Sequence, residues 1–453
     1  MLLDQLGYTN LVAINDVDNQ LTARLHDRNI KVIIGHGRYQ IQKDDFVIYS
    51  DVPAIITWPE VSQSRLYQQE PTKKHFHVCI SYNQMIAEIS KHFITIAVAG
   101  SNGKSSTTGM LMHTLYQNDK SFWLGIVGAL MPQYNNQWYL INKDILPDIR
   151  HLFDHIVNQK HQLNYDLLKK YLFVIEACEY KNHFLSYDID YSLITNIQHD
   201  HIDFFPTEES YITAFHDLIS QTKKKVILTP SATEIFTQSR LDQFAIEKYI
   251  ISEPYPFNSD YLIGSYHESN AGMIISLIQE IQNSKSKIQD IDDLLGKRKW
   301  LGRRMELITK TLSQAKAYSD YSHHAPAILG NLQALRKQFP EHHIITIFQP
   351  HQAQRVLAGR DDFTHALALS DETVIYKLYT AREDFDALQK IYPQLADRSS
   401  FDELGEKFAE HVHGTYITVA DDIIDIIQRD YPTPTIIVIF SAGDLDYQVR
   451  SLI

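Results

Sequence analysis

The stretch "AVAGSNGKSSTTG" (Ala97–Gly109) decides how this chain is read. It follows the apolar run "FITI" and leads into a segment with helical spacing, so the local order is strand, tight loop, helix. Gly100 and Gly103 permit a backbone that turns successive N–H groups, including those of Ser101 and Asn102, toward an anion. The helix that follows adds its positive N-terminal end. Lys104 supplies a point charge for β/γ-phosphates, and Ser105, with Ser106 beside it, a hydroxyl for Mg²⁺. Val98 stands where the longer consensus G-x-x-x-x-G-K-[ST] has its first glycine. The expectation is a nucleotide-phosphate loop. The plainer alternative is a strand-to-helix turn with Ser and Thr caps.

Outward from this loop, the same arrangement recurs: a short apolar run, then a polar cluster. The runs are "NLVAIND", "IKVIIGH", "DFVIYSD", "FITIAVAG", "LFVIEACE", "SLITNIQHDH", "KVILTP", "IITIFQPH", "TVIYKLYTARE" and "TIIVIFSAGD". Uniformly apolar runs read as parallel strands covered on both faces. Helical segments between them, such as Ala327 to Phe339, predict an α/β fold whose ligands bind beyond the carboxyl ends of the strands. A chain of 453 residues exceeds one core. Three domains are expected: residues 1–92, 93–302 and 303–453, with the basic stretch "GKRKWLGRRM" as the second joint. The first block opens in a helix-like segment, "MLLDQL", without the strand and Gly-rich turn that usually start a nucleotide-binding unit.

Net charge of −13 is a poor match for nucleic acid or anionic membrane. No apolar run is long enough for a transmembrane helix, and the N-terminus lacks secretory-signal features. Two cysteines, Cys79 and Cys178, build no disulfide framework, so a cytoplasmic protein is expected.

Further clusters extend the phosphate reading. Glu176 ends the run "LFVIE", where a carboxylate can hold a nucleotide's Mg²⁺, with Glu179 a weaker candidate; a solvated strand end is an equal alternative. Asn196, His199, Asp200, His201 and Asp203 crowd another strand end and suit a second divalent ion, or form a capped polar turn. His267 and Asn270 lie one helical turn apart and face either a base or ribose, or simply start a helix. In the last block Tyr321, His323, His324, His351, Arg355, Tyr379 and Glu383 suit a polar cleft. Arg303 and Arg304 sit at the joint, within a swing of a phosphate.

In this order the motifs resemble those of the Mur ligases of peptidoglycan synthesis, and among them the alanine-adding type. "AGSNGKSSTT" resembles the family's phosphate loop. "EACEYKNHFLSYDIDYSLITNIQHDHIDFF", "GSYHESNAG", "SDYSHHAP", "FQPHQAQR", "YTARE" and "SAGD" are similar, in order, to further family segments. "LGYTNLVAIND" and "IKVIIGH" through "FVIYSD" are similar to its UDP-sugar domain. The resemblance implies a Rossmann-like, incomplete UDP-sugar domain, a P-loop ATPase-like mononucleotide-binding domain and a C-terminal Rossmann-like α/β domain for the amino acid. It implies an ATP-dependent ligase that joins an amino acid, L-alanine in that type, to UDP-N-acetylmuramic acid through an acyl phosphate. Two Mg²⁺ ions are expected, and a monomer or homodimer.

By motif position, Lys104 would hold the β/γ-phosphates, Ser105 and Glu176 one Mg²⁺, and His201 the second, with Asn196 in support. His267 and Asn270 would face adenine. Arg304 and Asp320 would reach the nucleotide. Tyr321, His324, His351 and Arg355 would face the amino acid and acyl end. Gln352 stands where an arginine is expected near the amino acid's carboxylate, Glu268 where an asparagine is expected, and Ser319 where an aspartate is. Two alternatives remain: a ligase of the same superfamily with another amino-acid or peptide acceptor, and a catalytically weak paralogue that binds nucleotide.

Overall fold

The computed structural model describes residues 11–15, 25, 29–34, 46–49, 78–146, 149, 168–201, 204–239, 248–256, 266–282, 301–310, 315–380, 383–392, 395 and 400–452. The expectations for "MLLDQL", the side chain of Cys79, Asp203 and most of "GKRKWLGRRM" lie outside these residues. Near the N-terminus, β1 (Val12–Asn15) pairs in parallel with β2 (Lys31–Ile34), and β3 (Phe46–Tyr49) with β4 (Val78–Ser81). Ser81 then caps α1 (Tyr82–Ser90): its hydroxyl accepts from Gln84 N, and the Gln84 side chain accepts from Ser81 N. The buried face of α1, with Met85, Ile86 and Ile89, joins the core around Phe93 and Trp123.

The central sheet contains β5 (Ile94–Ala99), β6 (Phe122–Met131), β7 (Gln137–Ile141), β8 (Leu172–Glu176), β9 (Tyr191–Ile194), β10 (Lys225–Leu228) and β11 (Tyr249–Ile251). Their order is β11-β10-β9-β5-β8-β6-β7, parallel except for β6 with β7. The alternation of side chains divides it into two cores. Ile96, Val98 and Val174 face α2 (Lys104–Asn118), while Ala97, Ala99, Phe173 and Ile175 face α1, α3 (Glu208–Gln221) and α4 (Pro230–Ser239). The helix α5 (Tyr266–Gln282) shares the α2 side through Met273, Ile274 and Leu277. Both faces are covered, which is why these strands read as unbroken apolar runs.

A third sheet holds β12 (Glu306–Lys310), β13 (Ala315–Asp320), β14 (His343–Gln349), β15 (Glu372–Tyr376), β16 (Thr415–Ile417) and β17 (Thr435–Ser441). The order is β12-β13-β17-β14-β15-β16, with only β12 antiparallel. On one face lie α6 (Ala325–Gln338), α8 (Arg360–Leu367) and α10 (Phe401–His411), which follow or flank the short α7 (Ala353–Ala358) and α9 (Phe385–Ile391). On the other lie α11 (Ala420–Gln428) and α12 (Leu445–Leu452). Pro326 in the first turn starts α6 two residues before the expected Ala327. The expected α/β class is therefore what the chain forms. No helix among the described residues is long and apolar enough to cross a membrane.

Candidate nucleotide and ligation site

The strand order explains why three distant clusters meet. β5 lies between β9 and β8, so the loop after β5 is flanked by the ends of the strands that carry Asn196 and Glu176. Gly100 has φ +127° and Gly103 φ +82°. A side chain at Gly100 would place Cβ 2.1 Å from Thr195 Oγ1, so both backbone and space demand glycine there. The β9 end braces the loop. Asn196 Oδ1 accepts from Asn102 N and its Nδ2 donates to Asn102 O, both at 2.9 Å. Ser101 Oγ lies 2.7 Å from both the N and the O of Gln198 and 2.8 Å from the Tyr211 hydroxyl.

Lys104 opens α2 and folds back over the loop. Its ammonium donates to Gly100 O at 2.5 Å, Ser101 O at 3.2 Å and Glu179 Oε1 at 3.1 Å, with Glu179 Oε2 at 3.0 Å. Burial alone would lower its pKa; the adjoining Glu179, with Cys178 and Glu176, raises it instead, so Lys104 stays charged. Ser105 Oγ donates to Glu176 Oε1 at 2.8 Å, while Glu176 Oε2 accepts from Gly128 N at 2.5 Å.

The oxygen donors separate into two centres. Ser105 and Glu176 form one, a hard-oxygen pair that fits Mg²⁺. His201, with φ +54°, is not beside Glu176; it belongs with Glu179 and Asp200, and the ligand atoms of these three lie within 4.8 Å of one another. His199 turns away and meets Phe205 O at 2.7 Å.

The third sheet supplies the facing wall. Arg303 and Met305 both have positive φ, +58° and +46°, and bracket Arg304 in the joint. Arg304 Nη2 donates to Ser105 Oγ at 3.1 Å. Both guanidinium groups stack on Tyr321, each 4.9 Å from the ring centre. Asp320, buried at the end of β13, accepts from Met305 N and Ser322 N, each at 2.8 Å, and from Asn331 Nδ2 at 3.1 Å.

His324 Nε2 lies 3.5 Å from Asp200 Oδ2 across the gap between the sheets. The rings of His323 and His324 are 4.4 Å apart, and those of His323 and His351 5.4 Å. Burial first, then Arg355, pushes His351 down to about 4. Burial does the same to His324, also about 4, against the opposing pull of Asp200. Asp200 itself stays below its ordinary value: burial would raise it, but His324, His201 and Arg355 outweigh burial.

One cavity of about 520 Å³ gathers these parts. Residues 101–106, Glu176, Asn196, Asp200 and His201 line one side; Arg304, Asp320, Tyr321, His323, His324 and Arg355 line the other. Asn270 also lines it. Below it His267 is buried, with neither ring nitrogen hydrogen-bonded among the described residues; Asn270 Nδ2 is likewise without a hydrogen bond there. Burial drives His267 down to about 3. Of the residues expected to face the substrate, His351, Tyr379 and Glu383 stand apart from the cavity lining. His351 pairs with Tyr379 through a backbone bridge and a ring stack at 5.5 Å. Glu383 caps α7, its oxygens accepting from Ala353 N at 2.6 Å and Gln354 N at 3.2 Å. Gln352, with φ +70°, sits at the same helix start. The sequence reading missed Tyr211, Gly128, Tyr266 and Asn331, which lie in ordinary helical or strand patterns and carry no local signal.

With the phosphate loop, paired oxygen centres and facing basic wall in place, residues 98–289 match the family model described as "Mur ligase middle domain". The resemblance read from the motifs is thereby borne out. The chain is 26% identical over 390 residues to the UDP-N-acetylmuramate–L-alanine ligase of Streptococcus agalactiae, covering 82% of this chain and 76% of that one. Similarity to the enzyme of the same name from Streptococcus equi subsp. zooepidemicus is 27% over 327 residues, 67% of this chain and 65% of that one. In fold it is similar to the UDP-N-acetylmuramate–alanine ligase of Thermotoga maritima, with a TM-score of 0.68 at 17% identity over 97% of this chain and 91% of that one. It is also similar in fold to a murein peptide ligase of Psychrobacter arcticus, with a TM-score of 0.57 at 17% identity over 99% and 94%.

Proposed function

We propose that this protein is an ATP-dependent ligase of peptidoglycan synthesis that joins L-alanine to the carboxyl group of UDP-N-acetylmuramic acid. The observation that carries this reading is the single cavity between the phosphate loop and the Arg304–Arg355 wall. A carboxylate is a poor acyl donor because oxide is a poor leaving group. Transfer of the ATP γ-phosphoryl group to a carboxylate oxygen releases ADP and gives an acyl phosphate. The amine then attacks the carbonyl carbon, a tetrahedral intermediate forms, and inorganic phosphate leaves with the bonding pair.

In this reading Lys104 and Arg304 stabilise charge on the transferring oxygens. Ser105 and Glu176 hold one Mg²⁺, and His201 a second, with Asn196 keeping the loop in shape. The ions, when bound, neutralise phosphate charge and orient its oxygens. His267 and Asn270, buried and with unmet hydrogen-bonding groups, offer partners to adenine. Asp320 fixes the joint that aims Arg304. Tyr321, His323, His324 and Arg355 face the acyl end; His351, Tyr379 and Glu383 shape the outer rim of the amino-acid side. Residues 1–92, 93–302 and 303–453 serve as UDP-sugar, ATP and amino-acid domains. The enzyme works in the cytoplasm as a monomer or homodimer.

Gln352, at the amino-acid rim, favours a second reading within the same chemistry: an acceptor other than L-alanine, another amino acid or a peptide. One assay separates these. Purified protein is mixed with ATP, Mg²⁺, UDP-N-acetylmuramic acid and a panel of amino acids and peptides, and phosphate release is followed. Release that requires both the sugar nucleotide and L-alanine supports the first reading. Release with another acceptor supports the second. ATP binding without release in any mixture overturns both.

A further inference from the structure

Glu179 is the hub of the site, and the ligase chemistry assigned above leaves it without a role. Its carboxylate is fully buried. Lys104 Nζ lies 3.1 and 3.0 Å from its two oxygens, the Tyr211 hydroxyl donates to it at 3.3 Å, and His201 Nε2 lies 3.7 Å away. Tyr211 in turn touches Ser101 of the phosphate loop. An ammonium has three protons to donate, and Lys104 has three acceptors within the protein: Gly100 O, Ser101 O and Glu179. A phosphate gains Lys104 only as one of these lets go. The carboxylate is the strong competitor, because its bond joins two charges. A divalent cation held by Asp200 and His201 would place a rival claim on the same carboxylate, since their ligand atoms and one of its oxygens lie within 4.8 Å of one another.

We propose that Glu179 is a positioning residue that keeps Lys104 in a resting ion pair and yields it to nucleotide phosphate when a divalent ion occupies the Glu179–Asp200–His201 corner. The inference rests on the ATP reading above. It makes metal and nucleotide binding mutually reinforcing through this chain's own carboxylate, in addition to any metal carried on the nucleotide.

Calorimetric titration of ADP into the full chain, once in EDTA and once in Mg²⁺, tests this with Glu179→Gln. Removing the carboxylate's charge frees Lys104. ADP binding in EDTA should then tighten about tenfold, the worth of one charge-assisted bond, and Mg²⁺ should add less than it adds in the wild type. A purely structural Glu179 predicts the reverse, a loosened loop and weaker ADP binding under both conditions. Unchanged or weaker binding in EDTA overturns the proposal. Glu179→Asp keeps the charge but withdraws it by one methylene; its affinity in EDTA should fall between the two. If the Gln variant does not fold, the Asp variant decides: tightening supports the proposal, and no change overturns it. A wild type that fails to bind ADP even with Mg²⁺ overturns the nucleotide reading, and this inference falls with it.

Discussion

On the central-sheet wall of the cavity the cation Lys104 pairs with Glu179, while Ser105 donates to Glu176 and accepts from Arg304 of the facing wall. On the facing wall, three imidazoles cluster around Arg355, and burial holds His323, His324 and His351 below their ordinary pKa values. The first wall holds fixed charge; the second is a set of neutral rings beside fixed guanidinium groups. Such a division suits a reaction that first moves a highly charged phosphoryl group and then needs an uncharged amine. The difference also predicts how each wall fails when altered.

The largest effect is expected at Lys104. Lys104→Ala should abolish phosphate release and also strand Glu179, a fully buried carboxylate, without its cation. Leaving such a charge unpaired costs roughly 3–5 kcal/mol, read as a lower urea midpoint. Adding Glu179→Gln to Lys104→Ala should restore most of that stability and none of the activity. A double variant no more stable than the single one would break the claim that the central wall is held by paired charge.

Gly100→Ala comes next. The new methyl meets Thr195 Oγ1 at 2.1 Å, in a backbone conformation that alanine rarely adopts. About 1–3 kcal/mol of strain is expected, together with loss of ADP binding in calorimetry. Unaltered ADP affinity would show that the loop does not need its observed shape.

The buried imidazole of His267, on the central-sheet side, gives a pH dependence whose sign is fixed. His267 is held down to about 3, whereas an unfolded histidine titrates near 6.5. Between these values the unfolded state binds more protons, so stability falls as pH drops from 6.5 and stops falling below the folded value. From pH 6.5 to 5, His267 alone should remove about 2 kcal/mol. Urea midpoints across that range should flatten on His267→Gln, and an unchanged slope would show that His267 is not the source.

The smallest effect belongs to Tyr321, whose ring meets both Arg303 and Arg304. Tyr321→Leu should cost roughly 0.5–1 kcal/mol, the worth of an exposed cation–π contact. It should raise the KM for ATP modestly while leaving the unfolding midpoint of the central wall nearly unmoved.

The walls also differed in how far the sequence revealed them. The phosphate loop, Glu176 and the "TNIQHDH" cluster each followed an apolar run, because doubly covered parallel strands leave a period-free signature with polar residues at their ends. The strands without that signature went unread. β13, "AKAYSD", mixes small and polar residues; β6, "FWLGIVGALM", is broken by glycines; β11 and β16 have three residues each. Spacing alone also gave no means of assigning His201 to Glu179 instead of Glu176. That choice depends on the turn after β9, where His201 takes a left-handed backbone. Glu383 was expected in the polar cleft and Asp320, by resemblance, at the nucleotide, but their oxygens accept mainly from backbone N–H groups nearby.

The turn at Arg303–Met305 has a consequence for Arg304. Glu306 accepts from Arg303 N and Asp320 accepts from Met305 N, so the backbone on either side of Arg304 is tied to the third sheet's own carboxylates. The guanidinium that meets Ser105 is therefore aimed by its main chain, and losing either carboxylate should misdirect it without touching the side chain itself.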